Sequence, residues 1–160
     1  MIFNKEQVMA YLPHRDPFLF VDSVSHIEVV EDKPIDIITT ADLVGGKVVA
    51  HFYTREDHPI FAGHFPGNPI LPGVVQIESM AQASSFIMTK IVQDPFNCNM
   101  DVALVSVSNA KFRKAIVPGM DLELRSILKK IRGPMISQDC QIYHEGQLMS
   151  EASVLASIKF

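Results

Sequence analysis

The segment Gly63-His64-Phe65-Pro66-Gly67-Asn68-Pro69-Ile70-Leu71-Pro72-Gly73 gathers the residue types that proton chemistry needs, and the stretch behind it carries a carboxylate, Glu78. An imidazole titrates near neutrality, so His64, in a loop stiffened by Pro66, Pro69 and Pro72, can take a proton at physiological pH. Taken alone, such a residue is more often a hydrogen-bonded structural histidine. Glu78 lies in an apolar stretch, where an ionised carboxylate is costly unless paired or hydrated. A helix face open to solvent accounts for it as readily as a tuned carboxyl in a pocket. Pro72-Gly73 opens that stretch, and the unpaired N–H groups of a helix amino terminus can stabilise a developing oxyanion, although a plain capped helix is the commoner case. A base, a second acid or base and an oxyanion donor suit abstraction of a proton α to a carbonyl, and elimination of water from a β-hydroxyacyl compound needs that set. Nucleophilic hydrolysis fits less well, because no Ser or Cys sits in a nucleophile elbow.

The elements that must position these groups follow from periodicity and punctuation. Val74 to Val92 is the best helix in the chain, with proline before its first turn and Asp94-Pro95 ending it. Its polar residues are mostly Ser, Thr and Gln, which predicts a largely buried spine. Residues 5 to 11 predict a short helix ending before Leu12-Pro13. Phe18 to Ile27 reads as a strand covered on both sides, and Ile35 to Leu43 and Lys47 to Tyr53 as two strands of a hairpin about Val44-Gly45-Gly46. Arg55 to Gly73 must be a loop, because its prolines and glycines interrupt any ladder. Further strands are predicted at Val102 to Ser108, Leu122 to Ile131 and Ile136 to Tyr143. After a Glu145-Gly146 hairpin, Ala152 to Phe160 alternates with a strict period of two. Many strands with one principal helix give an α+β antiparallel architecture rather than a doubly wound fold, and no phosphate-binding glycine loop is present.

The 160 residues predict one domain, and 48% apolar against 20% charged residues excludes a disordered polymer. A net charge of −4 argues against a general nucleic-acid binder. Cys98 and Cys140 lack metal spacing and read as two buried thiols of a reducing compartment. His14, His26, His51, His58 and His144 show no ligand spacing, so no metal site is expected. Neither a leader nor an 18-residue apolar run is present, which predicts a cytoplasmic protein with no membrane span.

Three strings, LPHRDPFLFVDSV (Leu12 to Val24), GHFPGNPILPGVVQIESMAQ (Gly63 to Gln82) and KFRKAIVPG (Lys111 to Gly119), resemble the (3R)-hydroxyacyl-acyl-carrier-protein dehydratases of bacterial fatty-acid synthesis, in the family's order and over about a quarter of the chain. The resemblance implies a hotdog fold, an antiparallel sheet wrapped around one long helix. It also implies a homodimer with continuous sheets and active sites shared between subunits, and leaves open a trimer of dimers. It implies catalysis without a cofactor, with His64 of one subunit taking the C2 proton. Glu78 of the other would assist departure of the C3 hydroxyl, as an acid or by holding a water, and the Gly73 N–H would bind the thioester oxygen. Pro72, Phe65 and Val74 flank that site, and Phe65, Ile70, Leu71, Val74 and Phe86 are candidates for an acyl tunnel, most of them with core packing as the commoner role. A sister family that also isomerises the product carries aspartate on the helix, so Glu78 favours simple dehydration.

Departures from the pattern are a longer stretch between Val24 and Gly63, Ala115 where proline is usual and Met120 where aspartate is usual. They point toward a specialised pathway, such as a polyene, beside the primary fatty-acid one. Seven basic residues between Lys111 and Arg132 face only Asp121 and Glu123, a local charge of +5. Such a patch can steer docking of an acidic acyl carrier protein, and Arg113 and Lys114 rank first because they lie in the motif. The competing readings are a hotdog acyl-thioester hydrolase, which lacks this His and Glu pairing, and a non-catalytic acyl-binding subunit, in which both residues would be dispensable.

Overall fold

The computed structural model describes residues 1–31 and 33–160. Helix α1 (Lys5–Tyr11) is closed at its start by reciprocal Asn4 and Gln7 bonds, one side chain on each backbone N–H, and is followed by strand β1 (Ser23–Glu28). Strand β2 (Lys47–Tyr53), a four-residue helix α2 (Ile60–Gly63) and the central helix α3 (Gly73–Ser84) come next. Four long strands complete the chain: β3 (Asp101–Phe112), β4 (Asp121–Arg132), β5 (Met135–His144) and β6 (Gln147–Lys159). The six strands of the described residues form one antiparallel sheet in the order β1-β2-β4-β5-β6-β3. The α+β reading therefore holds, and the Glu145-Gly146 hairpin forms with both residues at positive φ.

The sheet curls about α3, whose inner face (Val75, Ile77, Met80 and Ala83) packs with Leu122, Leu124, Leu128, Ile142 and Val154 in one apolar core. Beyond Ser84 the helix tightens into a 3₁₀ segment, Ser85–Lys90, so the predicted run from Val74 to Val92 is α-helical only as far as Ser84. Ser84, Ser85 and Thr89 each turn a hydroxyl onto the carbonyl three residues back, which favours the tighter winding.

One predicted strand forms only in its second half and another not at all, each for an identifiable reason. Phe18 to Val21 stays outside the ladder, because Phe18 O and Phe20 N–H are bonded to the Gln82 side chain; pairing with β2 begins with the Asp22 N–H on His51 O, and β1 runs from Ser23. Burial on both parities nevertheless holds for Leu19, Phe20, Val21 and Val24, whereas Phe18 is exposed. Ile35 to Leu43 forms no strand. Both edges of β2 are taken, one by β1 and the other by β4, so no ladder remains for this segment. Asp42 instead accepts the Thr39 N–H and hydroxyl and winds Thr40–Leu43 into a 3₁₀ turn, with Ile35 and Ile37 exposed. The glycine pair serves the start of β2: a Cβ at Gly46 would lie 2.7 Å from Leu43 O and 2.9 Å from Ile87.

The far side of β3 is unpaired over twelve residues, and Leu104, Val105, Val107 and Phe112 on it are exposed. An exposed, long, apolar strand edge is a surface made for pairing. Among the described residues, no helix is long and apolar enough to cross a membrane, and no cluster of three or more His, Cys, Asp or Glu could hold a metal. Cys140 is buried, which pushes its thiol up to about 12, and Cys98 is half-buried; both are free.

Candidate active site

His64 is fixed from three sides. Phe65 and Asn68 exchange backbone bonds of 3.0 and 2.9 Å across Pro66-Gly67, a turn that needs the positive φ of Gly67. The His64 carbonyl accepts from Ile70 N–H at 2.8 Å, and its ring lies against Phe65 with centroids 4.0 Å apart. Its Nδ1 is 2.7 Å from Ile70 O. A carbonyl can only accept, so the ring proton sits on Nδ1 and the Nε2 lone pair is left as the basic atom.

Pro72 supplies the first acceptor of α3, taking Val75 N–H and Gln76 N–H, which leaves the Gly73 and Val74 N–H groups pointing out of the helix end. Val74 is 78% exposed. Gly73 is required by close approach: a Cβ there would meet the Phe112 ring at 2.9–3.2 Å. The aromatic end of β3 thus lies over the helix amino terminus.

One and a half turns further on, Glu78 projects into a small pocket of about 70 Å³ lined by Leu12, His14, Gln82, Val102, Leu104 and Ala156 among others. Gln82 Nε2 donates to Glu78 Oε1 at 2.9 Å, and His14 Nε2 is 3.1 Å from the same oxygen. Oε2 has no partner among the described residues. The His14 contact, helped by Gln82 and opposed by burial, holds the carboxyl below the usual glutamate range, so Glu78 is an acceptor at neutral pH. Gln82 also bonds Phe18 O at 2.9 Å and receives Phe20 N–H at 2.8 Å, which pins residues 12–20 against the helix.

Within one chain these groups do not form one site. The polar partner of His64 is Ile70, those of Glu78 are His14 and Gln82, and His64 does not line the Glu78 pocket. Both flank the unpaired edge: Val102 and Leu104 of β3 wall the Glu78 pocket, and Phe112 of β3 covers Gly73. Of the tunnel candidates, Phe65 and Val74 are exposed, Ile70 is half-buried, and Leu71 and Phe86 are closed into the core.

His14 is the residue that spacing arguments on metal sites passed over. Its place in the LPHR motif was the available signal, but nothing in the sequence says that this loop folds onto α3. The basic window also divides. Lys111 and Arg125 share a row across the sheet through Glu151 and Gln141, whereas Arg132 lies in the row of Met135, Ser157 and Ala103. Eight residues of β3 at about 3.3 Å each put these rows on the order of 26 Å apart. Arg113 is paired with Glu151 at 3.1 Å, Lys129 with Asp139 at 3.8 Å, and Arg125 with Glu123 while lying over the Tyr143 ring. Lys114 is exposed and has no such partner among the described residues.

An antiparallel sheet curled about one helix, with the helix amino terminus and a helix carboxylate opening at a free strand edge, defines a hotdog-fold protein. The solved dehydratase heterocomplex ApeI:P from Xenorhabdus doucetiae superposes with a TM-score of 0.71 at 18% identity, covering 96% of this chain and 91% of that one. A hot-dog-like protein from Thermanaerovibrio acidaminovorans gives 0.56 at 10% identity, covering 72% and 82%. The chain belongs to the FabA-like domain family, whose model matches residues 12–153. The 3-hydroxyacyl-[acyl-carrier-protein] dehydratase FabZ of Anaplasma phagocytophilum is 37% identical over 156 residues, 98% of this chain and 97% of the relative. The protein of the same name from Syntrophobacter fumaroxidans is 36% identical over 152 residues, 95% and 91% of the two chains.

Proposed function

We propose that this chain, a single hotdog domain of residues 1–160, removes water from a (3R)-3-hydroxyacyl thioester on acyl carrier protein to give the trans-2-enoyl thioester, in fatty-acid or related lipid synthesis in the cytosol. The observation that carries the reading is the complementary preparation of two groups. His64 is held with a free Nε2 lone pair, and Glu78 is held ionised with Oε2 facing an apolar pocket.

A homodimer pairs the β3 edges of two copies, and each site takes His64 from one subunit and Glu78 from the other. His64 Nε2 then removes the C2 proton while the Gly73 N–H binds the thioester oxygen as charge develops there. The C2–H electron pair becomes the C2=C3 bond and the C3–O bond breaks. The departing oxygen, held by Glu78 Oε2, takes the proton back from the imidazolium and leaves as water, so the protein ends in its starting state. No cofactor enters this sequence. Arg113 and Lys114, just past the end of β3 whose Phe112 covers Gly73, are the carrier-protein contacts in this reading, with Pro72, Phe65 and Val74 forming the mouth.

The test follows the enoyl-thioester absorbance on acyl carrier protein in the hydration direction, with mass spectrometry of the product. The unmodified chain is expected to form the water adduct, and His64→Ala to lose roughly 10²–10⁴-fold in rate while circular dichroism stays normal. Release of free carrier thiol would make the protein a hydrolase instead, and full activity of His64→Ala would overturn the assignment of the base.

A further inference from the structure

The Glu78 carboxylate is held by more than the geometry of its own helix. Two donors converge on Oε1, Gln82 Nε2 from one turn ahead and His14 Nε2 from the loop after α1. Of the other groups that line this pocket, α3 contributes Ala81 and Gln82 and the 3₁₀ segment Ser85, while β3 and β6 contribute only apolar side chains such as Val102, Leu104 and Ala156. His14 is therefore the titratable neighbour of Glu78 there, among the described residues. Arg15, next in the chain, turns its guanidinium back onto Leu12 O and His14 O. In the proposed dimer the partner subunit's His64 is the further titratable group.

His14 Nδ1 is buried and has no hydrogen-bond partner. An N–H there would be an orphaned buried donor, so the ring proton belongs on Nε2, where Glu78 Oε1 accepts it. With both donors on one oxygen, the carboxylate cannot rotate without breaking a bond, and Oε2 is presented to the pocket. The loop that carries His14 is itself pinned, since Gln82 binds Phe18 O and Phe20 N–H.

We infer that His14 is a positioning residue for the dehydration: it orients the Glu78 carboxylate through its bond to Oε1, with Oε2 free for the C3 hydroxyl of the substrate. This rests on the role given to Glu78 above. The depressed carboxyl titration, with the His14 bond as its largest cause, agrees with the geometry.

The measurement uses the full-length chain carrying ¹³C-labelled glutamate, with the Glu78 carboxyl signal assigned by its loss in Glu78→Gln. In His14→Ala the titration midpoint is expected to move up, and kcat to fall roughly ten- to hundredfold with KM little changed, the loss of one hydrogen bond to a charged group. His14→Gln, whose amide nitrogen reaches the same oxygen, is expected to restore most of both. A midpoint that does not move in His14→Ala, or an unchanged kcat, overturns the inference. Nitrogen shifts of the unmodified protein give a check free of any folding defect: they are expected to show His14 protonated on Nε2, and an Nδ1–H tautomer overturns it. Full activity of Glu78→Ala would remove the catalytic reading and this inference with it, whereas an inactive Glu78→Ala beside an unmoved midpoint removes the inference alone.

Discussion

Truncation of Gln82 should be the most costly single polar change near the site. Its side chain is 2% exposed and makes three bonds of 2.8–2.9 Å, from Phe20 N–H, to Phe18 O and to Glu78 Oε1. Gln82→Ala leaves the N–H of the fully buried Phe20 without an acceptor, at about 1–3 kcal/mol. Phe18 is half-exposed, so water can reach its carbonyl and that loss is small. The vacated volume adds about 1 kcal/mol, for a total on the order of 2–4 kcal/mol. At about 2–4 °C per kcal/mol for a chain of this size, Tm should fall about 5–15 °C at fixed protein concentration. Gln82→Met fills the volume and removes only the hydrogen bonds, so most of the loss should persist. Gln82→Glu should be worse than either where both carboxylates are ionised, because it sets a second negative charge against Glu78. Urea unfolding with m-values checks all three. A Gln82→Ala loss under about 0.5 kcal/mol, or full recovery in Gln82→Met, would refute the hydrogen-bond account.

Three further outcomes are expected. Glu78 titrates below its ordinary value in the folded chain, so its contribution to stability is present above the unfolded glutamate range and fades as pH falls through the folded midpoint; the stability gap to Glu78→Gln should narrow in that acid window and not above it. Gly73→Ala drives a methyl group into the Phe112 ring and should cost about 1–3 kcal/mol less the fraction of a kcal/mol that alanine gains in a helix; Phe112→Ala in the same chain should relieve it, measured as a double-mutant cycle. Lys114→Glu should raise KM for the carrier-protein substrate more than Arg113→Glu does, because Arg113 is already neutralised by Glu151, and the effect should shrink at high salt and be absent for a small thioester without a carrier protein.

The division between sequence and structure falls along the range of the interactions. Residues 121–160 were legible because period-two alternation and the Gly133-Pro134 and Glu145-Gly146 turns are local, and each strand satisfies its own neighbour. The central helix and the stiff His64 loop were legible for the same reason: proline before the first turn, and Pro66-Gly67 at a bend that needs positive φ. Ile35 to Leu43 had strand composition, yet only the sheet reveals that β2 has no free edge to offer it. Phe18 to Val21 had strand composition too, and a glutamine 62 residues beyond Phe20 takes the bonds that a ladder would have used. The charge of the basic window was visible in the residue count, but its separation into distant rows is a matter of register. Glu78 could be singled out from its chain neighbours, since a carboxylate in an apolar helix needs a reason. Its partner could not, because His14 meets it across 64 positions of chain, and a contact of that kind is set by how loop and helix pack rather than by any spacing in the sequence.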